Sequence, residues 1–157
     1  MKKVFLAALL FSLIISCSQN DTEQPINVQI ESFNLNQNCF SAIKLQDAEV
    51  VITNASDYKY FEDSIRVNWF QSCDTITLPK IDFDSSFFVG KYTQTAGCSV
   101  SYTSQVKFYT DQNLYNYIIS TTGIGTCERL NSAFNCAIVP RQTEQINVQM
   151  RAEYFQQ

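Results

Sequence analysis

One short stretch of the sequence, IDFDSSFFVGKYTQTAGC at residues 81–98, contains the residue types from which catalytic centres are built. Asp82 and Asp84 could act as an acid and base pair, since glycosidases use two carboxylates about 5 to 9.5 Å apart. On a strand, residues two apart share one face at roughly 7 Å, so the spacing fits this chemistry. Ile81 and Phe83, however, alternate with the two aspartates, which is the pattern of a strand with an ordinary solvated face. We therefore expect no catalysis from this pair.

A serine and lysine dyad is the other chemistry that this stretch suggests, from Ser85 or Ser86 with Lys80 or Lys91. The lysine would have to be buried to lose its proton, and these lysines stand among charged residues. The whole chain contains no histidine, which removes the usual general base for a serine or cysteine nucleophile and the usual zinc ligand. The sequence thus predicts neither an enzyme nor a cofactor.

The first seventeen residues, MKKVFLAALLFSLIISC, predict where the protein is located. Two lysines, an apolar run from Val4 to Ile15 and a small residue before Cys17 form a secretory signal that is too short to span a bilayer. Its end, IISC, resembles the lipobox of bacterial lipoproteins. The resemblance implies cleavage after Ser16 and lipidation of Cys17 with acyl chains such as palmitate. Three such chains would hold the protein firmly on a membrane that it does not span.

Three segments follow from this pattern: a signal peptide over 1–16, a lipidated polar tether over 17–25 and a single domain over 26–157. About 140 residues after cleavage are enough for one hydrophobic core. Cleavage removes two lysines and leaves 9 basic against 15 acidic residues. An acidic chain without a cluster of Lys and Arg binds nucleic acid poorly, because neutralisation of phosphates supplies most of that affinity. We therefore expect a membrane-anchored protein without a nucleic-acid partner.

The apolar pattern of the domain predicts many strands and one helix. The helix is expected after Asn54 or Ser56, either of which can cap it, because Tyr58, Phe61 and Ile65 recur on one helical face. Strands are expected, from alternation or from strand-type composition, over 26–33, 49–53, 85–95, 98–111, 114–122, 134–140 and 146–155. The sequence thus predicts an α+β fold, a mostly antiparallel β sheet or sandwich with one amphipathic helix near the N-terminal side of the domain.

Two sets of residues could contact or carry sugars. Tyr115 and Tyr117 share one face of a predicted strand, so their rings could stack on a glycan or contact a protein partner. Packing in the core is the alternative for these aromatic rings. The tripeptides DSI and DTI resemble the acceptor of O-glycosylation in Bacteroidetes envelope proteins, which implies modification of Ser64 and Thr75.

Five cysteines follow the lipidated one, at positions 39, 73, 98, 127 and 136. They would lie in a compartment where thiols oxidise. The spacings contain no C-x-x-C pair, so we expect disulfides and no cysteine zinc site. Because five is odd, at most two disulfides form and one thiol is left over.

Several short motifs and the order of the elements resemble the C-terminal domain of PrcB protease-complex subunits and the Bacteroidetes lipoproteins similar to it. The motifs are IDF at 81–83, FFVG at 87–90, TAG at 95–97 and AIVP at 137–140. The sequence departs from the PrcB pattern at the turn, where Ala96 and Cys98 replace a Gly-Gly-Tyr type. The resemblance spans residues 48 to 155, brings no catalytic residues and implies an accessory lipoprotein domain.

The cysteine-bearing lipoproteins of this kind have one cysteine at this turn and one at a Gly-x-Cys turn, which are here Cys98 and Cys127. The resemblance therefore implies a disulfide between these two. Cys39 and Cys73 then form the simplest remaining pair, with Cys136 as a buried thiol. A bond between Cys127 and Cys136 stays open as the rival pairing.

The expected function is that of a non-catalytic cell-envelope lipoprotein, on the outer membrane and facing either the periplasm or the exterior. It would bind an envelope protein, and a protease is the partner class that the resemblance implies. Two alternatives stay open. One is a glycan-binding module that uses Tyr115 and Tyr117, and the other is an envelope hydrolase that uses Asp82 and Asp84.

Overall fold

The structure, a computed structural model, describes residues 24–36, 48–67 and 77–156. These residues form, in chain order, β1 Ile26–Val28, β2 Glu31–Asn36, β3 Glu49–Ile52, α1 Ala55–Val67, β4 Ser86–Ala96, β5 Ser99–Tyr109, β6 Leu114–Ile124, β7 Leu130–Pro140 and β8 Asn147–Gln156. None of them belongs to a helix with the length and apolar character that a bilayer crossing requires.

The strands form two four-stranded sheets that pack face to face. Sheet A has the order β1-β5-β6-β8, and sheet B has the order β2-β7-β4-β3. Neighbouring strands are antiparallel except β6 and β8, which run parallel. Helix α1 packs on the face of sheet B that is turned away from sheet A. The predicted α+β fold, a mostly antiparallel sandwich with one described helix, is confirmed.

Sheet B is buried on both faces, which accounts for its unbroken apolar runs. In β4, Phe87 and Val89 contact sheet A, whereas Phe88 contacts the helix. Gly90 follows on the helix side, directly beneath the ring of Phe134. A Cβ atom at Gly90 would overlap that ring, so the absence of a side chain here is a packing requirement of the core.

Helix α1 begins where the sequence provides a cap. The side-chain Oδ1 of Asn54 accepts a hydrogen bond from the backbone N–H of Asp57 at 2.9 Å, which satisfies one of the free N–H groups of the first turn. Tyr58, Phe61 and Ile65 follow at helical spacing, and all three are buried against sheet B. The predicted helix is confirmed, with Asn54 as its cap.

The predicted strand over 26–33 is divided between the two sheets. β1 pairs with β5 in sheet A and β2 pairs with β7 in sheet B, so the chain crosses between the sheets at Gln29 and Ile30. The alternation continues across the crossing because Val28 and Ile30 both pack against the core between the sheets. A period of two cannot distinguish one strand from two successive strands that share a core.

Candidate functional site

Asp82 and Asp84 lie in a turn that precedes β4, and not on the face of a strand as predicted. The carboxylate of Asp82 accepts a hydrogen bond from the hydroxyl of Ser85 at 2.8 Å and another from the backbone N–H of Asp84 at 3.1 Å. The bond from Ser85, followed by the bond from Asp84, lowers the pKa of the exposed Asp82 carboxyl. The carboxylate thus closes a turn, and a general acid would need the opposite pKa shift.

The predicted alternative of a serine and lysine dyad is not formed in the structure. The ammonium of Lys91 lies 2.5 Å from a carboxylate oxygen of Glu49. Lys91 also lies five residues beyond Ser86 on β4, which is roughly 17 Å along an extended strand. Lys80 is exposed and lacks the burial that a neutral lysine requires. Within the described ranges, no three His, Cys, Asp or Glu side chains form a group that could hold a metal ion.

Tyr115 and Tyr117 lie inside the core between the sheets, where they are 1% and 0% exposed. The ring of Tyr115 packs against Phe87 and Phe108, with centroid distances of 4.9 and 4.6 Å. The hydroxyl of Tyr117 lies 3.2 Å from the hydroxyl of Ser104, and burial raises the pKa of Tyr117. Neither ring can contact a glycan or a partner without leaving the core, which corrects the expectation of an exposed tyrosine face.

A disulfide between Cys98 and Cys127 joins the β4–β5 connection to the loop between β6 and β7, with the Cα atoms 4.8 Å apart. This is the pairing that the resemblance implied, and it excludes the rival bond to Cys136. Gly125 makes room for the bridge, because a Cβ atom there would lie 2.8 Å from Cys98 Sγ and its φ is +78°, which favours glycine. Cys136 is free and buried, and burial raises the pKa of its thiol.

Several predicted sites lie outside the described residues, namely Cys17, the pair Cys39 and Cys73, and Thr75. Ser64 lies within α1, where its hydroxyl donates a hydrogen bond to the backbone carbonyl of Tyr60 at 2.7 Å. Glycosylation of Ser64 would remove the proton that forms this bond.

We call the end of the sandwich that carries the Cys98–Cys127 bridge the disulfide end. Hydrogen bonds join its strand connections in addition to the bridge. Backbone N–H groups of Cys98 and Gly97 donate hydrogen bonds to the carbonyls of Ile124 and Arg129, at 2.8 and 3.1 Å. The two sheets also approach each other here, since a Cβ atom on Gly123 would overlap the carbonyl of Ala96. The strand ends at this position therefore form a rigid framework.

Four exposed large apolar side chains lie at or near strand ends at the disulfide end, on more than one face of the sandwich. Ile124 ends β6, Leu130 begins β7, and Tyr154 and Phe155 lie near the end of β8. Their exposed fractions are 47%, 57%, 57% and 51%, respectively. Phe155 pairs with Thr122, so it is a diagonal neighbour of Ile124 on the outer face of sheet A. Large apolar side chains that a domain leaves exposed are its candidate contact points with another molecule.

Alternation along the predicted strand over 146–155 places Tyr154 on the inner face with Met150 and Ala152, and no sequence pattern singles out Ile124 or Leu130. Alternation indicates the direction of a side chain, but it does not show where the core stops covering the strand. The available signal was the consecutive pair Tyr154 and Phe155, which places aromatic rings on both faces of β8 at its end.

No family model matches the sequence, and no curated protein or solved structure is significantly similar to it. These comparisons therefore assign no function to the chain.

Proposed function

We propose that this protein is a non-catalytic cell-envelope lipoprotein that binds another envelope protein through its disulfide end. The observation that carries the proposal is that several strand ends there carry exposed apolar side chains, of which Ile124 and Leu130 are 47% and 57% exposed. The cores of protein interfaces are depleted in charged residues and enriched in aromatic residues such as Tyr154 and Phe155, and a few residues supply most of the binding energy.

The rigidity of this end supports a binding role. Ile124 is held by the hydrogen bond from Cys98, and the disulfide ties the loop that follows it to the neighbouring connection. A surface that is ordered before binding loses less conformational entropy when the partner arrives. The exposed side chains thus have a fixed position from which to contact a partner.

The anchor in this proposal is the lipid on Cys17. The eight residues from Ser18 to Pro25 would extend over at most about 28 Å, so the domain would stay close to the membrane surface. A partner in the same envelope would then be available at high local concentration. A Cys17→Ser chain should move from the membrane fraction to the soluble fraction, and a variant that stays with the membrane would contradict the lipid anchor.

The partner class is taken from the resemblance to PrcB-like domains, which implies an envelope protease. Two further observations favour a protein-binding role over the alternatives. The burial of Tyr115 and Tyr117 weighs against a glycan site on that face, and the hydrogen bonds of the Asp82 turn weigh against a hydrolase there.

The test compares the variants Ile124→Asp and Leu130→Asp with Tyr60→Asp, in full chains produced in their own cells. Tyr60 is a matched control because it is an aromatic residue, 77% exposed, on α1. The neighbouring Tyr58 ring packs against Phe83 and Phe88 at the start of β4, whereas the bridge follows the end of β4. An aspartate at an interface anchor should reduce the co-isolated envelope protein by at least about tenfold. The control should leave the amount unchanged. Equal recovery of the same protein by all three variants would contradict the proposal.

A further inference from the structure

β8 lies at the edge of sheet A and pairs on one side only among the described strands. Its pairing with β6 runs without interruption over ten residues, whereas the other edge strands β1, β3 and β2 have 3, 4 and 6 residues. A long edge presents N–H and C=O groups that pair with another strand unless proline, a bulge or unmatched charged side chains prevent it. The sequence of β8, NVQMRAEYFQ, contains no proline and only two charged residues, and its register contains no bulge.

The charges of β8 are complementary to those of a second copy of β8. Its two charged residues, Arg151 and Glu153, share the outer face of sheet A, with Arg151 Nη2 3.0 Å from Glu153 Oε1. In an antiparallel pair of β8 strands with the two-fold axis at Ala152, Arg151 lies opposite Glu153 of the second copy, and the reverse pair forms as well. Opposite charges in such cross-strand positions stabilise a pair of strands.

Neighbouring registers lack this complementarity. If the axis moves by one residue, either Arg151 lies opposite a second Arg151 or Glu153 lies opposite a second Glu153. Like charges directly opposite each other destabilise the pair. The axis at Ala152 also brings Met150 opposite Tyr154 of the second copy on the inner face, which would cover a ring that is 57% exposed in one chain. The charges thus select one register.

We propose that two copies of this chain join through their β8 edges, antiparallel and centred on Ala152, so that the two A sheets form one continuous eight-stranded sheet. The interface is isologous and closed, so it produces a dimer and no longer polymer. This dimer is distinct from the proposed partner binding, because the dimer contact uses the edge of β8. Ile124 and Leu130 at each disulfide end stay available for the envelope protein.

The experiment uses two full chains with different affinity tags, produced together in the same cells, and measures how much of one is isolated with the other. Arg151→Glu places like charges opposite each other at both cross-strand positions, as does Glu153→Arg. The control is Lys107→Glu, which makes the same change of charge on the same outer face of sheet A, but on β5, where Lys107 pairs with Asn116 of β6. Because all three side chains lie on the outer face, the variants should fold.

We expect either single variant, paired with itself, to reduce co-isolation by at least about tenfold, because two favourable pairs become two unfavourable ones. Arg151→Glu paired with Glu153→Arg should restore it, since each charge then meets its opposite, and so should the double exchange in one chain. The Lys107→Glu control should match the unchanged chain. If the two tagged unchanged chains are not isolated together, the proposal is overturned, and a strand of another protein becomes the candidate that pairs with the β8 edge. Co-isolation that is insensitive to the single charge reversals, or not restored in the mixed pair, would overturn it as well.

Discussion

Replacement of Cys98 and Cys127 by serine should lower the free energy of unfolding by about 3.6 kcal/mol. The two cysteines are separated by 29 residues in the sequence, and the chain-entropy relation assigns about this value to a loop of that length. The reason is that the bridge restricts the unfolded chain and leaves the folded sandwich nearly unchanged. For a domain of this size, the same loss corresponds to a fall in Tm of about 13 °C.

The assay is equilibrium unfolding in urea, followed by circular dichroism without a reducing agent. The m value should rise together with the loss of stability, because an unfolded chain without the bridge exposes more surface. Each single variant, Cys98→Ser or Cys127→Ser, should lose about as much as the double variant, since either change removes the bond. These two single variants are the internal control for effects of the serine side chains.

A loss smaller than about 1 kcal/mol with an unchanged m value would refute this account of the bridge. A loss that differs strongly between the two single variants would also refute it, because the cost would then come from local packing at one cysteine.

Three further changes test the core, the helix start and a buried hydroxyl. Gly90→Ala should lower the free energy of unfolding by roughly 1–3 kcal/mol, since its methyl group would overlap the ring of Phe134. In urea unfolding of the double variant, Phe134→Leu should offset part of this loss. An unchanged free energy of unfolding in Gly90→Ala would contradict this packing. Asn54→Ala should cost about 1 kcal/mol by loss of the cap, whereas the exposed neighbour Ser56→Ala should stay within about 0.5 kcal/mol in the same measurement. Burial raises the pKa of Tyr117 above its ordinary value near 10.0, so the stability that the neutral hydroxyl contributes is complete below about pH 10 and is lost as the pH rises further. In urea unfolding from about pH 8 to 11, the free energy of unfolding should therefore fall less steeply for Tyr117→Phe than for the unchanged chain. Identical declines in the two chains would contradict this prediction.

Local patterns were sufficient to predict the helix and most of the strands. Asn54 provides a cap, and Tyr58, Phe61 and Ile65 repeat at helical spacing, so these residues specify α1 through contacts within one segment. Alternation specified β5 and β8 in the same way. These features depend on neighbours in the sequence and on one buried face, and both are visible in a single segment.

The pairing of the strands and the sheet that covers each strand face depend on residues far apart in the sequence, so no single segment shows them. The parallel pairing of β6 with β8 requires the whole of β7 to lie between them in the chain, and nothing within either strand indicates that direction. Tyr115 and Tyr117 were placed correctly on one strand face, but only the position of sheet B shows that this face is the core. The turn at Asp82 was mistaken for a strand because Ile81 and Phe83 alternate with polar residues over too few positions to exclude a turn.

The candidate site was predictable only in part. The bridge at Cys98 was expected from the resemblance, whereas the exposure of Ile124 and Leu130 follows from where the two sheets end. Exposure of this kind is a property of the assembled fold, since the same residue types occur in its core.

The most direct measurement of the central claim is site-specific photo-crosslinking in living cells. A photoreactive residue is introduced in the full chain at Leu130, and at Tyr60 as a control that is at least as exposed. If an envelope protein binds at the disulfide end, the residue at position 130 should crosslink to it and the residue at position 60 should not. Mass spectrometry identifies the crosslinked product. Absence of a product from position 130, or the same product in equal amount from both positions, would contradict the assignment of the disulfide end as the binding surface.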